Sequence, residues 1–157
     1  MSQAVITQNS VDSLTGLVIP LADRSLLLPN VVVAELIPYR APPAVSGQPA
    51  WFLGEVNWRD LRLPLLSFEA ACGAPVVVGD NARIAVLNAL GGRPQVKFIA
   101  LLVQGIPRSQ RITAELPRAD VELAPLELAA VKVEDGVLRI PDLEALEQML
   151  ADARLIA

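Results

Sequence analysis

The stretch Gly54–Phe68, which reads GEVNWRDLRLPLLSF, carries the most informative pattern in the chain. It combines a glycine, an Asn-x-Arg triplet and a Leu-Pro-Leu-Leu run that is typical of a strand. Five of the six aromatic residues lie between positions 39 and 68, around this stretch: Tyr39, Trp51, Phe52, Trp58 and Phe68. Aromatic side chains and arginine are enriched at protein interfaces. The stretch therefore favours a docking surface over a reaction centre.

The composition predicts a folded chain with a large apolar interior. Its 157 residues are 53% hydrophobic, which suits one domain or two small lobes that share a core. The net charge of −4 argues against nucleic acid as the main ligand. Six basic residues lie in the segment 83–118: Arg83, Arg93, Lys97, Arg108, Arg111 and Arg118. They form either an electropositive strip for an acidic protein or, as we favour, solvated side chains on different faces.

The chain lacks several features that catalysis commonly needs. Histidine is absent, which removes the commonest general base and the usual transition-metal ligand. Cys72 is the only cysteine, so no internal disulfide forms, and its alanine neighbours offer no activating base. No glycine-rich phosphate loop is present in a strand-to-helix setting. The sequence therefore predicts no enzyme activity, no cofactor and no metal site, with Cys72 as a buried structural thiol.

The sequence also predicts a cytoplasmic protein. The N-terminal residues lack the basic region and apolar core of a secretory signal. The longest apolar run, Phe98–Val103, is far shorter than the ~20 residues of a membrane-spanning helix. We therefore expect no direct membrane insertion.

Short runs rich in Leu, Val and Ile, separated by turn residues, predict a mainly β fold. The expected strands cover 14–21, two parts of 25–37, a strand opened by Gly54, then 62–68, 75–78, 83–90, 96–104 and 137–140. The proline-rich stretch 38–49 predicts a loop, residues 51–53 and 69–73 single turns, and residues 91–95 a hairpin connection. Residues 134–136 predict a turn before the last strand.

One long helix is expected over residues 142–155. Apolar residues spaced three and four apart line one of its faces: Leu143, Leu146, Leu150 and Ala153. Acidic residues lie toward its positive end, among them Glu147, which we place on a solvated face, and Pro141 suits a helix start. Many short strands with one terminal helix favour a small barrel or sandwich, and two strand groups divided near residues 70–82 would form two lobes.

A family resemblance covers residues 31–68. The strand Val31–Leu36, the proline-rich loop, Gly54–Arg59 and Leu63–Leu66 resemble the CheW-like coupling proteins of bacterial chemosensory arrays. In that family a V-x-E-hydrophobic strand precedes the pattern G-x-x-N-x-R-G-x-x-x-P, two hydrophobic residues and an aspartate. The resemblance extends loosely over nearly the whole chain.

This resemblance implies an all-β fold of two five-stranded SH3-like barrels around a shared hydrophobic core, with a C-terminal helix, in one CheW-like domain over residues 1–157. It implies an adaptor that links the tip of a methyl-accepting chemoreceptor to the regulatory domain of a CheA-type histidine kinase. Partner-binding positions carried over from the family are Val33, Glu35, Gly54, Asn57 and Arg59. Among them the family has an inter-strand ion pair, while Asn57 and Pro64 match positions that shape the turn and strand.

Two residues depart from the family pattern. Asp60 replaces the glycine after the arginine, where its carboxylate could compete with Glu35 for Arg59, and Ser67 replaces the aspartate after the strand. The departures resemble auxiliary coupling proteins of pilus-type chemosensory systems, which control twitching motility. Strand alternation places Trp58 on the opposite face from Asn57 and Arg59, with its indole directed inward.

Two other functions remain open at the level of sequence. A small-molecule-binding β-barrel would use the aromatic residues between 39 and 68 to line a pocket. An enzyme that uses carboxylates and a divalent ion would show metal-dependent turnover. The adaptor accounts best for the motif together with the missing catalytic groups.

Overall fold

A computed structural model of the protein describes residues 13–43, 45–113, 116–133 and 136–156. Its strands are β1 (Ser13–Pro20), β2 (Ser25–Pro29), β3 (Val33–Pro38), β4 (Phe52–Trp58), β5 (Leu61–Leu66), β6 (Arg83–Asn88), β7 (Phe98–Val103), β8 (Arg108–Thr113), β9 (Glu127–Val133) and β10 (Gly136–Pro141). Two α-helices, α1 (Phe68–Ala71) and α2 (Leu143–Asp152), and a short 3-10 helix (Asn30–Val32) complete the described elements.

The strands form two five-stranded sheets. Lobe 1 has the order β8-β1-β2-β10-β9, and lobe 2 has the order β3-β6-β7-β5-β4. Most neighbours are antiparallel, but β2 pairs in parallel with β10 and β5 in parallel with β7. The predicted mainly β fold of two five-stranded lobes is therefore confirmed. The predicted division near residues 70–82 was wrong, because lobe 2 uses consecutive strands while lobe 1 combines strands from both ends of the chain.

The sequence of lobe 2 explains its central strands. In β4, side chains alternate between inside and outside, and Phe52, Val56 and Trp58 are buried. Pro64 lies in β5 opposite Glu55, just before the two residues that pair with β7. Proline has no N–H to donate, so it fits where the ladder to β7 has not yet begun.

One hydrophobic cluster spans both lobes. It contains Leu26 and Leu28 from lobe 1, Leu66 and Leu101 from lobe 2, and the inward face of α2. The three leucines of that face, Leu143, Leu146 and Leu150, are buried as the spacing predicts. The predicted shared interior is therefore confirmed.

Helix α2 is shorter than the predicted range 142–155. Asp142 is its N-cap, and its side chain accepts a hydrogen bond from the Ala145 N–H at 3.0 Å. Pro141 ends β10 and does not begin the helix. The helix ends at Asp152, and Arg154 adopts a left-handed φ of 61°. Within the described ranges no helix has the length and apolar character needed to cross a bilayer.

Some predicted element boundaries were wrong. Residues 75–78 form no strand, and strand β4 begins at Phe52, so Gly54 lies inside it and residues 51–53 are no separate turn. Strand β5 ends at Leu66, because Ser67 caps α1 and Phe68 begins that helix. The turn predicted at residues 134–136 lies mostly outside the described residues. The hairpin connection at residues 91–95 is confirmed, since β6 and β7 pair in antiparallel register on either side of it.

Candidate functional site

Glu35 links the two edges of the lobe 2 sheet. It lies on β3, which is one edge strand, whereas β4 is the other. One carboxylate oxygen, Oε1, accepts hydrogen bonds from Arg59 Nη2 at 2.9 Å and from Trp58 Nε1 at 3.2 Å. These side-chain contacts join the two sheet edges, so Glu35 both closes the lobe and fixes the orientation of its neighbours.

Arg59 lies in a two-residue turn between β4 and β5. Trp58 and Leu61 pair across the strands, and the two turn residues, Arg59 and Asp60, have φ angles of 48° and 63°. This turn folds the arginine back, and its guanidinium carbon lies 4.6 Å from the centre of the Trp58 ring. A planar cation stacked on an indole and paired with a carboxylate is held in one orientation.

The prediction for Trp58 was partly right. Its side chain is buried and packs edge-on against Phe98, with ring centroids 4.8 Å apart. However, the Arg59 guanidinium covers the same indole instead of facing away from it. Strand alternation failed here because Arg59 belongs to the turn and not to the strand.

Arg40 joins this group of side chains, although the motif does not include it. Its Nη2 donates a hydrogen bond to the Asn57 carbonyl at 3.2 Å, so the proline-rich loop is tied to the end of β4. The Asn57 side chain itself is exposed. The only available sequence signal was a single arginine among the prolines after β3.

The five predicted site residues are not all equivalent. Glu35, Asn57 and Arg59 belong to the cluster just described, at the end of lobe 2. Val33 is half-buried and packs against the shared core. Gly54 is buried with a φ of 132°, and a β-carbon at this position would lie 2.8 Å from a side-chain carbon of Pro42. The structure therefore places Val33 and Gly54 in the packing beneath the loop and the sheet, and they do not share an exposed surface with Arg59.

Residues 15–150 match the CheW-like domain. The chain belongs to the CheW-like domain family. Its fold is similar to the crystal structure of the scaffolding protein TtCheW from Thermoanaerobacter tengcongensis, with a TM-score of 0.70 and 19% sequence identity. That match covers 84% of this chain and 86% of the other. No curated protein sequence matches the chain.

Membership of the CheW-like family makes this protein a chemotaxis coupling adaptor, as the motif predicts. The CheW-like match covers both lobes and most of α2, so the exposed cluster at Glu35 and Arg59 belongs to the family domain.

The two departures from the family pattern occupy different settings. Ser67 is fully buried, and its hydroxyl accepts a hydrogen bond from the Ala70 N–H at 3.2 Å, so it begins α1 as an aspartate would. Asp60 is exposed at the turn. The Arg59 guanidinium pairs with Glu35, and Asp60 forms no hydrogen bond or ion pair with any described residue. The expected competition between the two carboxylates is thus resolved in favour of Glu35.

A second group of charges is buried in lobe 1. Glu127 is paired with Arg24 at 2.8 Å and with Arg139 at 2.6 Å, and its side chain is fully buried. Burial alone would raise the pKa of Glu127, but the Ala124 N–H and the two guanidinium groups outweigh it and hold that pKa below its ordinary value. Arg24 also lies over the Phe68 ring at 5.6 Å, which ties lobe 1 to α1. Sequence reasoning missed this network.

The basic segment does not form one strip. Arg83 lies in lobe 2, whereas Arg108 and Arg111 lie on β8 of lobe 1. Arg93 pairs with Glu147 at 3.5 Å. Glu147 is fully buried and accepts hydrogen bonds from the N–H groups of Leu90 and Gly91, so its predicted place on a solvated helix face was wrong. It anchors α2 to the hairpin of lobe 2.

The described residues give little support to Cys72 or a metal site as a reaction centre. Cys72 is half-buried, and burial raises the pKa of its thiol, which disfavours the reactive thiolate. Among the described residues no group of histidine, cysteine and carboxylate side chains could hold a metal ion. The alternative of a pocket lined by the aromatic residues between 39 and 68 gains no support from Phe68, which is fully buried in the shared core, or from Trp58, which is buried in lobe 2.

Proposed function

We propose that the protein couples a methyl-accepting chemoreceptor to a CheA-type histidine kinase in the cytoplasm, without catalysing a reaction. The observation that carries this proposal is the Glu35–Arg59 pair at the end of lobe 2. Its side chains are 39% and 69% exposed, yet both are held in place by Trp58. An exposed guanidinium that is already oriented suits recognition of another protein, because little freedom is lost when it binds.

The pair contributes little to folding stability by itself. Exposed ion pairs are typically worth about 0 to 1 kcal/mol because water and salt screen them. The same groups gain importance when a partner excludes water from them. We therefore assign the receptor tip to the surface formed by Glu35, Asn57 and Arg59, with Arg40, Val33 and Gly54 as residues that support it.

The test is co-sedimentation of the full chain with a receptor signalling fragment and the kinase. Arg59→Ala should weaken binding about tenfold, equivalent to about 1.4 kcal/mol, because it removes the oriented cation. Glu35→Arg should weaken it further, because two cations would face each other. Arg111→Ala is the matched control, since Arg111 is an exposed arginine on the outer strand of lobe 1. Receptor binding by Arg59→Ala at the wild-type level, with the variant folded, would count against this surface.

A small-molecule-binding barrel has one observation in its favour. Lobe 1 has a half-open, mostly apolar cleft of about 370 Å³, lined among others by Leu27, Ile112, Leu116 and Val131. Ligand pockets commonly have volumes of about 300–1,000 Å³ and apolar walls. A thermal-shift screen with small apolar metabolites tests this second candidate. A reproducible rise in the unfolding temperature that a Leu116→Arg variant loses would support it.

Control of twitching motility remains a prediction. The expected result is that deletion of the gene reduces twitching while leaving pilus assembly intact. Restoration by the wild-type gene and not by the Glu35→Arg variant would connect that behaviour to the proposed surface. Unchanged twitching would assign the protein to a different chemosensory output.

A further inference from the structure

The turn between β4 and β5 carries a carboxylate, that of Asp60, which forms no ion pair with a described residue. On one side Arg59 pairs with Glu35 at 2.9 Å, and on the other Arg62 pairs with Glu55 at 3.2 Å. Asp60 lies between these arginines in sequence and is exposed, but it pairs with neither of them nor with any other described residue. Arg40, which reaches the end of β4 from the proline-rich loop, donates to the Asn57 carbonyl.

The backbone at Asp60 has a conformation that glycine adopts most easily. Its φ of 63° lies in the left-handed region, which glycine adopts freely and which aspartate tolerates better than most residues with a β-carbon. Arg59, with a φ of 48°, shares this conformation, as the two central residues of a tight hairpin turn commonly do. Residues other than glycine are uncommon in this region and tend to occur at functional sites. Within the described ranges Asp60 makes no hydrogen bond or ion pair that would favour aspartate over glycine at this position.

We propose that Asp60 is a specificity-determining residue that pairs with a lysine or arginine on the receptor surface docking against Glu35 and Arg59. This inference rests on the proposed adaptor function. The two flanking ion pairs fix the arginines on their own carboxylates, so the Asp60 carboxylate is the acidic group at the turn that a partner can neutralise. A receptor that presents an apolar or acidic residue at this point would be disfavoured.

The central experiment compares Asp60→Asn with wild type in binding to a receptor signalling fragment. Asparagine keeps the size and tolerates the left-handed conformation, so the variant isolates the charge. We expect about tenfold weaker binding at low salt and a smaller loss of affinity when salt is raised, because a charge pair across the interface is screened. Asp60→Gly should bind as weakly as Asp60→Asn although its backbone is relaxed. Asp120→Asn, an exposed aspartate outside lobe 2, is the matched control and should bind as wild type.

A charge-reversal experiment identifies the partner group. Asp60→Lys should bind about a hundredfold more weakly than wild type, by repulsion added to the lost pair. A single Lys→Glu or Arg→Glu substitution in the receptor fragment should then restore its binding. Thermal unfolding of each variant shows that the fold is retained.

The possible failures are distinguishable. If wild type binds the receptor fragment and Asp60→Asn binds equally well at both salt concentrations, the inference is overturned and the adaptor function stands. If Asp60→Asn weakens binding to the kinase alone, the assignment to the receptor is wrong. If wild type binds neither receptor nor kinase, the proposed function fails and the inference fails with it.

Discussion

Lobe 1 and lobe 2 pair arginine with glutamate in opposite surroundings. In lobe 1, Glu127 is fully buried between Arg24 and Arg139. In lobe 2, Glu35 and Arg59 are exposed at the end of the sheet. A buried carboxylate depends on its partners for stability, whereas an exposed pair is screened by water and contributes little. The comparison indicates that the lobe 1 charges hold the fold together, whereas the Glu35–Arg59 pair of lobe 2 lies at the surface, where we propose that it meets a partner.

The largest effect is expected from breaking the buried network. Glu127→Gln should lower the free energy of unfolding by about 3 kcal/mol, because it removes the buried charge that pairs with Arg139 and leaves Arg24 with only the more exposed Asp23. Chemical denaturation of the purified protein measures this. Glu55→Gln is the matched control from lobe 2, where the exposed pair with Arg62 predicts a loss of less than about 1 kcal/mol. Equal losses in the two variants would contradict the comparison.

Lowering the pH should remove most of the difference in unfolding free energy between wild type and Glu127→Gln. The pKa of Glu127 is held below its ordinary value in the folded protein, so its contribution to stability is complete above the unfolded pKa, about 4.3 for glutamate. The contribution is lost as the pH falls through the folded pKa. Denaturation curves of wild type and Glu127→Gln should therefore converge in acid below about pH 4 and separate toward pH 7. A constant difference over this range would mean that Glu127 does not titrate as proposed.

The packing of lobe 2 should be more sensitive to its backbone than to its exposed charges. Gly54→Ala should cost about 2 kcal/mol, because the added β-carbon meets Pro42 and φ lies in the left-handed region. Thermal unfolding measures the loss. Gly47→Ala serves as the control, since Gly47 also has a positive φ but no atom near the added carbon. Similar losses at both positions would assign the cost to φ alone.

The smallest effect on stability is expected at the proposed partner surface. Arg59→Ala should lower the free energy of unfolding by less than about 1 kcal/mol, because its pair with Glu35 is exposed. The same variant should weaken receptor binding about tenfold. Stability from denaturation and affinity from co-sedimentation are measured on one preparation. A large loss of stability would make Glu35–Arg59 mainly a closure of lobe 2, since Glu35 also holds Trp58.

The sequence predicted the fold well where its signals were local. The hairpin between β6 and β7 follows from the glycine-rich turn at residues 91–95, and the leucine spacing located α2. Residues 75–78 show the limit, because their valines suit a strand but no strand pairs with them. The Gln104 side chain takes that place, with hydrogen bonds to the Gly79 N–H and the Val77 carbonyl. The β-propensity of the valines favours an extended backbone, but a strand forms only where a neighbouring strand pairs with it.

The contacts of the candidate site were predicted less completely, because they join residues that are far apart in the sequence. The Glu35–Arg59 pair came from the family motif, since nothing in the spacing of 24 residues requires it. Arg24 and Glu127 are 103 residues apart, and Glu147 contacts Leu90 across 57 residues. Such contacts depend on the order of strands in the sheets, which the local pattern does not specify. Burial of Glu147 could not be predicted, because the N–H groups that donate to its carboxylate belong to a distant hairpin.

The order of the strands has a consequence for how the nascent chain folds. Lobe 2 is translated as one continuous segment, β3–β7, so its five strands leave the ribosome one after another with no strand of lobe 1 between them. Strands β1 and β2 emerge earlier, yet their outer neighbours β8 and β10 are translated only after lobe 2 is complete. Until then the outer edges of β1 and β2 are unpaired, and unpaired strand edges are prone to aggregate. If translation stopped after β7, the released chain would therefore contain all five strands of lobe 2 together with a β1–β2 hairpin whose outer edges are unpaired and prone to aggregate.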